Sequence, residues 1–159
     1  MERIEKILKN PSFIENLNKN KLCEKERIFC RHGIEHLLDT ARIAYIYNFE
    51  NNLNFPKDII YAASLLHDIG KWQQYENNIP HNEASAYLAK DILINSNFNC
   101  DEIEIILSAI MTHSNYKNKD NTLNYILFMA DKKSRNCFLC DANSKCSWSE
   151  EKKNKTILN

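Results

Sequence analysis

His67 and Asp68 directly follow an apolar stretch, Ile59 to Leu66, that has the composition of a buried helix. Ionisable side chains that continue from a core segment need a partner once they are buried. A metal ion suits a neutral imidazole beside an anionic carboxylate, because both groups donate lone pairs to it. Such a site could activate water and neutralise phosphate charge, which is the chemistry of metal-assisted hydrolysis.

Further donors of the same types occur elsewhere in the chain, at His36, His81, His113 and Asp131. Together these imidazoles and carboxylates make a mixed nitrogen and oxygen set that suits iron, manganese, zinc, cobalt or nickel better than calcium. Adjacent residues of a helix point about 100° apart. His67 and Asp68 can therefore share one ion only where other helices converge and supply the remaining ligands.

The elements that must position these residues are helices. Only two glycines and three prolines occur in the chain, and the alternating pattern of β-strands is scarce, so the sequence predicts an all-α protein. Apolar residues at three-and-four spacing predict helices over about 2–20 with a break near Asn10 and Pro11, 24–49, 57–69, 81–95 and 101–113, and one capped by Thr122. Gly70 is expected to be left-handed just past the third helix, and residues 73–80 are expected to form a loop.

The length and charge of the chain limit its partners. One domain is expected for 159 residues. Lysine plus arginine equals aspartate plus glutamate, 21 of each, so no global field attracts a nucleic acid polymer or an anionic membrane. Residues 1–10 lack the apolar segment of a signal peptide, and no stretch reaches membrane-spanning length, which predicts a cytoplasmic protein. The six cysteines are then expected to be thiols or metal ligands, not disulfides.

Five short segments carry the candidate ligands in a fixed order: His36-Leu37-Leu38-Asp39-Thr40-Ala41, Leu65-Leu66-His67-Asp68-Ile69-Gly70-Lys71, Pro80-His81-Asn82-Glu83-Ala84-Ser85, Ala109-Ile110-Met111-Thr112-His113 and Met129-Ala130-Asp131-Lys132. This order resembles the HD superfamily of metal-dependent phosphohydrolases. The resemblance implies a single compact HD-type helical domain with a central metal site over residues 1–159. Within it lie a motif-bearing core of about 24–136 and a cysteine-rich C-terminal tail, 137–159.

The resemblance also implies ligands and cofactors. The minimal ligand set corresponds to His36, His67, Asp68 and Asp131. His81 and His113 correspond to the extra histidines of members with a second metal, where Asp68 would bridge the two ions. One or two divalent ions are therefore expected, either iron, manganese or another transition metal. Members of the superfamily hydrolyse nucleotides, cyclic dinucleotides and dinucleoside polyphosphates, so the expected substrate is a phosphorylated small molecule, a nucleotide or a related metabolite.

One branch of the superfamily is closest in ligand order. The small bacterial diadenosine tetraphosphate hydrolases share the order and a similar length, and they carry an arginine shortly after the last aspartate, as Arg135 is here. This chain differs from them in a shorter interval between Asp68 and His81 and in its cysteine-rich tail. It also lacks the Gly-Tyr-Pro signature of the cyclic di-GMP branch, which argues against that substrate.

Side chains near the ligands are candidates for contact with the substrate. Lys71 could neutralise phosphate as a point charge, and Arg135 could bind it bidentately. Asp68 and Lys71 are the candidates for the catalytic step. His32 lies one helical turn before His36 on the same face. It is expected to face phosphate or to support a ligand, although it could replace His36. The ordinary alternative for Lys71 is a solvated side chain.

A separate hypothesis concerns cysteines. Two residues separate Cys137 from Cys140, and Cys146 follows them. These are three thiols, whereas a structural zinc needs four ligands. Cys30 is the candidate fourth ligand. Cys30 precedes His36 by six residues, and Cys137 follows Asp131 by six. If the helices that carry His36 and Asp131 run antiparallel and share the central metal, these equal offsets bring Cys30 and Cys137 together. The alternative is a set of ordinary buried or redox-labile thiols.

Two other functions stay open beside the hydrolase. The same fold could be a non-catalytic module that binds a nucleotide or a partner protein, although such a module would be expected to have lost ligands. It could also be a metal-dependent oxygenase with a di-iron centre, which oxygen consumption would reveal. The sequence does not decide between a monomer and a homodimer.

Overall fold

The computed structural model describes residues 1–157. Its regular structure consists of eight α-helices and two short 3₁₀ helices, and this described part contains no β-strand. The α-helices are α1 (Glu2–Lys9), α2 (Pro11–Cys23), α3 (Ile34–Glu50), α4 (Lys57–Leu66), α5 (Lys71–Asn77), α6 (His81–Asn95), α7 (Cys100–Thr112) and α8 (Leu123–Lys133). The 3₁₀ helices are Cys137–Leu139 and Asn143–Lys145. The predicted all-α fold is confirmed.

Helix α4 forms the centre of the fold. Seven of its ten residues are buried, as expected for a helix that is enclosed on nearly all sides. It packs against α1, α3, α6, α7 and α8, and the buried faces of these helices form one hydrophobic core. The helices therefore make a single compact domain, and the residues that follow α4 emerge in its interior.

The predicted break in the first helical region is confirmed. Helix α1 ends at Lys9 and α2 begins at Pro11. The Asn10 side chain accepts hydrogen bonds from the backbone amides of Ser12 and Phe13 at 2.9 and 3.4 Å. These bonds satisfy amide groups that have no partner within the helix, so Asn10 acts as the N-cap of α2.

The predicted start of the next helix at residue 24 is wrong. Helix α2 ends at Cys23, and α3 begins only at Ile34. Between them, the buried carboxylate of Glu24 accepts a hydrogen bond from the backbone amide of His32 at 2.7 Å and also bonds the imidazole of that residue. A side chain that bonds the backbone eight residues away competes with helix formation. His36 consequently lies in the first turn of α3.

The end of α4 differs from the prediction in two respects. The helix ends at Leu66 instead of Ile69, and residues 67–70 form a turn. Gly70 has a φ of −92° and is not left-handed. Glycine is needed there for another reason, because a Cβ atom would lie 2.5 Å from the backbone nitrogen of Ser85. Without that atom, the Gly70 amide donates to Ser85 Oγ at 2.9 Å, and the turn lies directly against α6.

Residues 71–77 form the short helix α5, although a loop was predicted from residue 73. Contacts with α2 explain the difference. The backbone amide of Trp72 donates to Asn20 Oδ1, and its indole donates to Asn16 Oδ1, both at 2.8 Å. Asn78 then ends the helix in the left-handed conformation, with a φ of 56°. Tertiary hydrogen bonds thus outweigh a polar local composition.

The predictions for the last three helices agree with the structure to within about a residue. Helix α6 spans His81–Asn95, and α7 begins one residue before the predicted Asp101, at a capping box formed by Asn99 and Glu102. The Thr122 side chain caps α8 as expected. Within residues 1–157, no helix combines the length and apolar character needed to cross a membrane.

Candidate metal centre

Six side chains from separate parts of the fold converge beyond the end of α4. They come from the first turn of α3 (His36), the turn after α4 (His67 and Asp68), the start of α6 (His81), the residue after α7 (His113) and the last turns of α8 (Asp131). All are buried except His81, which is partly exposed. The structure therefore brings together every residue predicted as a ligand of the central metal.

The first group of donors contains His36, His67, Asp68 and Asp131, with one donor atom of each within 4.8 Å of the others. Asp68 Oδ2 lies 3.1 Å from His67 Nε2 and 3.6 Å from His36 Nε2. Asp131 Oδ1 lies 3.3 Å from His36 Nε2 and 3.8 Å from His67 Nε2. Two imidazole nitrogens and two carboxylate oxygens therefore face one point.

The second group contains Asp68, His81 and His113. The other carboxylate oxygen of Asp68, Oδ1, lies 3.5 Å from the Nε2 atoms of both histidines. These two nitrogens are 3.1 Å apart. Asp68 therefore presents Oδ2 to one group and Oδ1 to the other, which is the geometry of a carboxylate that bridges two sites.

Backbone carbonyl groups set the tautomers of two histidines. His67 Nδ1 lies 2.7 Å from the Ser64 carbonyl oxygen, and His113 Nδ1 lies 2.6 Å from that of Ile110. A carbonyl only accepts, so each Nδ1 carries a hydrogen and donates it. Each Nε2 is then left to face the centre, as in metal-binding histidines whose second nitrogen is anchored.

Side chains do the same for the other two histidines. Ser134 Oγ donates to the Asp131 carbonyl at 2.7 Å and lies 3.1 Å from His36 Nδ1, so His36 Nδ1 is the donor in that contact. His81 Nδ1 lies 2.7 Å from Gln74 Oε1, closer than its 3.3 Å to Lys71 Nζ, so it donates its hydrogen to Gln74. The sequence did not predict the roles of Ser134 and Gln74, because neither residue lies within a segment that carries a candidate ligand.

Two buried atoms at the centre have no hydrogen bond. Within the described residues, His67 Nε2 and Asp68 Oδ1 are inaccessible to solvent and lack a partner of suitable geometry, although each lies at ion-pair distance from other donors. Buried polar atoms without partners are costly. A cation placed between the donors would satisfy both atoms, so the residues present fit a bound metal.

The electrostatics point the same way. Burial raises the pKa of the Asp68 and Asp131 carboxyl groups, but the neighbouring imidazoles lower it by more. Both pKa values therefore lie well below the usual range. Burial lowers the pKa of His67, and the two carboxylates overcome this effect and raise it to about 10. For His81, burial prevails and lowers the pKa to about 3. The centre therefore holds two anionic carboxylates and attracts positive charge.

His32 lies at the edge of the first group. Its Nε2 atom is 3.8 Å from Asp68 Oδ2, and its Nδ1 atom bonds the Glu24 carboxylate. The Tyr75 hydroxyl donates to the same carboxylate at 2.7 Å. His32 thus does not replace His36 in the first group. Glu24 was missed from the sequence because an acidic residue within an expected helix gives no signal of a distant partner.

Three cations surround the centre. Arg135 Nη2 lies 3.2 Å from Asp131 Oδ1, and Lys132 Nζ lies 2.5 Å from Asp131 Oδ2. Lys71 Nζ lies 3.3 Å from His81 Nδ1. Burial lowers the pKa of Lys71, while Asp68 opposes this shift. The interpretation of Lys71 as an ordinary solvated side chain does not describe its position.

The four cysteines proposed as zinc ligands line one cavity, next to the metal centre. Cys30 belongs to the loop between α2 and α3, and Cys137, Cys140 and Cys146 belong to the segment after α8. The prediction that antiparallel helices bring Cys30 to Cys137 is wrong, because Cys30 does not lie on a helix. The remaining cysteines, Cys23 and Cys100, do not line this cavity.

An all-α domain that directs histidines and carboxylates from five elements to one buried point defines a class of metal-binding helical protein. The HD domain family matches residues 33–136, a range that contains all six donors. The chain belongs to the HD domain family. Membership generally indicates a metal-dependent phosphohydrolase.

The chain also resembles a bacterial protein over nearly its whole length. A protein of Clostridium beijerinckii (strain ATCC 51743 / NCIMB 8052), described as an uncharacterized protein, is 44% identical over 154 residues, and the match covers 97% of each chain. No solved structure shows a significant match.

Proposed function

We propose that this chain is a metal-dependent phosphohydrolase that cleaves a phosphoester or phosphoanhydride bond in a nucleotide or a related small metabolite. The observation that carries the proposal is the position of Asp68. Its two carboxylate oxygens face two separate donor groups, as a bridging ligand between paired divalent ions would. Family membership supports the reaction class.

The donor groups differ in how many protein ligands they offer. The first would hold an ion through His36, His67, Asp68 and Asp131, and the second through Asp68, His81 and His113. Divalent ions in such sites lower the pKa of bound water and polarise phosphoryl oxygen. The second group has fewer protein donors, and its His81 is partly exposed. A substrate phosphate would complete the ligand set of an ion held there.

Lys71 and Arg135 would bind the substrate phosphate from two sides. Lys71 lies beside the second group, at His81, and Arg135 lies beside the first, at His36 and Asp131. A phosphate above Asp68 would have one cation at each end. The guanidinium can bind two phosphate oxygens at once, whereas the ammonium acts as a point charge.

His32 would hold a proton during the reaction. The Glu24 carboxylate fixes its Nδ1 atom, so Nε2 points towards Asp68. Burial lowers the pKa of His32 against the opposing effect of Asp68 and Glu24. A neutral imidazole with an anchored tautomer is suited to accept a proton from water or substrate at the centre.

The test is phosphate release by the purified chain from a panel of nucleotides and dinucleoside polyphosphates under manganese, iron and cobalt. Asp68→Asn should lower kcat by at least about a hundredfold, because it removes the charge that both donor groups share. Asp91→Asn, an exposed carboxylate on α6, is the matched control and should keep full activity. Equal activity of the two variants would contradict the proposal.

The same assay separates the other candidate functions. A di-iron oxygenase would consume oxygen with reduced iron and release no phosphate from any compound. A non-catalytic module would bind a nucleotide without turnover under every metal. Either result, obtained with metal-loaded protein, would replace the hydrolase.

A further inference from the structure

The cysteine cavity is a second site beside the histidine and aspartate centre, and His32 and Arg135 border both. Cys30, Cys137, Cys140 and Cys146 line a space of about 240 Å³. Burial raises the pKa of the Cys30 thiol, Arg135 lowers it, and each of the other three thiols is near enough to raise it further. The four sulfur atoms therefore face a common volume, although their positions in sequence span more than a hundred residues.

The spacing of the sulfurs argues against a single ion. Tetrahedral zinc has bonds of about 2.3 Å to sulfur, which places its ligand atoms less than about 4 Å apart. Within residues 1–157, the donor groups whose atoms lie within 4.8 Å of one another are the two histidine and aspartate groups, and the cysteines form no such group. The four cysteines therefore line a shared volume, but their sulfur atoms are too far apart to bind a single ion.

The volume itself is larger than one ion requires. A water molecule occupies about 30 Å³ in the liquid, so a cavity of about 240 Å³ has room for a cofactor of several heavy atoms. We propose that Cys30, Cys137, Cys140 and Cys146 hold a four-iron, four-sulfide cluster. Each thiolate binds its own iron in such a cluster, which spreads the four sulfur atoms around its core.

The charge around the cavity fits an anionic cofactor. Arg27, Arg135, Lys145 and Lys153 line it together with the cysteines. The side chains of Arg135 and Lys153 are only 10% and 8% exposed. Four thiolates give the cluster a net negative charge, and nearby cations favour the thiolate form of cysteine. The thiol protons are released to solvent when the cysteines bind iron.

Hydrogen bonds hold the segment that carries three of the cysteines, for example those from Asn154 Nδ2 to the Lys132 and Arg135 carbonyls at 2.8 Å, but apolar packing contributes little. Between residues 137 and 157 only Cys137, Ala142 and Asn154 are buried, while Leu139 and Ile157 are 80% and 75% exposed. A segment with so little buried apolar surface gains stability from a cross-link or a metal. The cluster would supply that link and join the segment to the loop that carries Cys30.

The direct test is the content of iron and acid-labile sulfide in the full-length protein, purified without oxygen. We expect about four sulfides per chain and the broad visible absorbance of a cluster. Sulfide is the decisive measurement, because iron bound at the histidine and aspartate centre brings none. One zinc and no sulfide per chain would overturn the cluster in favour of the zinc site predicted from the sequence. The absence of both zinc and sulfide would overturn the cluster as well.

Matched variants locate the cluster. Cys140→Ser should lose most of the sulfide, and Cys100→Ser, an exposed cysteine at the start of α7, should keep it. His67→Ala should keep it as well, which separates the cluster from the metal centre. Equal sulfide in Cys140→Ser and the unmodified chain would overturn the assignment. If Cys140→Ser does not fold, the same comparison with Cys146→Ser decides the question.

Discussion

Arg135 Nη2 lies 3.1 Å from His36 Nε2, although the two residues are 99 positions apart. The same guanidinium contacts Asp131 and lines the cysteine cavity. One side chain therefore belongs to the surroundings of both sites. Its position depends on the segment after α8, so the order of that segment bears on the arrangement of the metal centre.

Arg135 should matter for the substrate more than for the metal. Arg135→Ala should lower kcat/KM by about ten- to a hundredfold, because a bidentate phosphate contact is lost, and Arg135→Lys should recover only part of it. Metal content should stay unchanged in both. Arg42→Ala removes an exposed arginine of α3 and serves as the control. Kinetics of Arg135→Ala that match those of Arg42→Ala would remove Arg135 from the substrate site.

Ser134 should tune the affinity for metal. Its hydroxyl accepts from His36 Nδ1 while donating to the Asp131 carbonyl. Ser134→Ala should weaken metal binding by about ten- to a hundredfold, because the His36 imidazole loses its anchor. Isothermal titration with manganese measures this effect. Ser114→Ala, at an exposed position, should bind as the unmodified chain does, and equal affinities for both variants would refute the role of Ser134.

The two glycines should respond differently to the same change. Gly70→Ala forces a Cβ atom to 2.5 Å from the Ser85 nitrogen, whereas Gly33→Ala meets only the flexible Glu35 side chain at 3.0 Å. Overpacking against backbone should cost Gly70→Ala about 1–3 kcal/mol of unfolding free energy. Gly33→Ala should cost less than about 1 kcal/mol. Urea denaturation of the two variants measures both values, and equal losses would show that the close approach is unimportant.

Glu102 should make stability depend on pH. Its hydrogen bond with Arg3 holds the pKa of the carboxyl below the usual value, against a smaller effect of burial. The stabilisation is thus complete above an unfolded-state pKa of about 4.3 and is lost as the pH falls through the lower folded-state value. Glu102→Gln removes the charge but retains a side chain compatible with the capping box.

We expect Glu102→Gln to reduce the unfolding free energy by up to about 1 kcal/mol at pH 7, since the partly exposed pair is screened by solvent. The difference from the unmodified chain should shrink below pH 4. Glu104→Gln, an exposed neighbour on α7, should change little at either pH. A pH-independent difference for Glu102→Gln would mean that charge is not its cause.

Much of the fold and the positions of the ligands could be predicted from the sequence. Apolar spacing located most helices. The motifs around His36, His67 and Asp131, through their resemblance to the HD superfamily, predicted the common centre in which these residues lie. These features are local, since each depends on residue type and on spacing within one element. Helix periodicity and ligand chemistry are visible in a short window of sequence.

The features that were missed depend on contacts between distant segments. Glu24 ends a helix early because it bonds His32, and Gly70 is required by the backbone of α6 and not by its own φ angle. Helix α5 forms where Asn20 accepts a hydrogen bond from Trp72. No local pattern records such pairings, because a side chain of one type can bond many partners and only the folded arrangement selects one.

Asn20 holds the turn after α4 from both ends. Its amide group donates to the Asp68 carbonyl and accepts from the Trp72 amide, both at 2.8 Å, and the residue is almost fully buried. It lies outside the range that matches the HD domain family, which begins at residue 33. Trimming the protein to its family boundaries would thus discard the side chain that keeps the Asp68 backbone in place, and with it both Glu24 and His32.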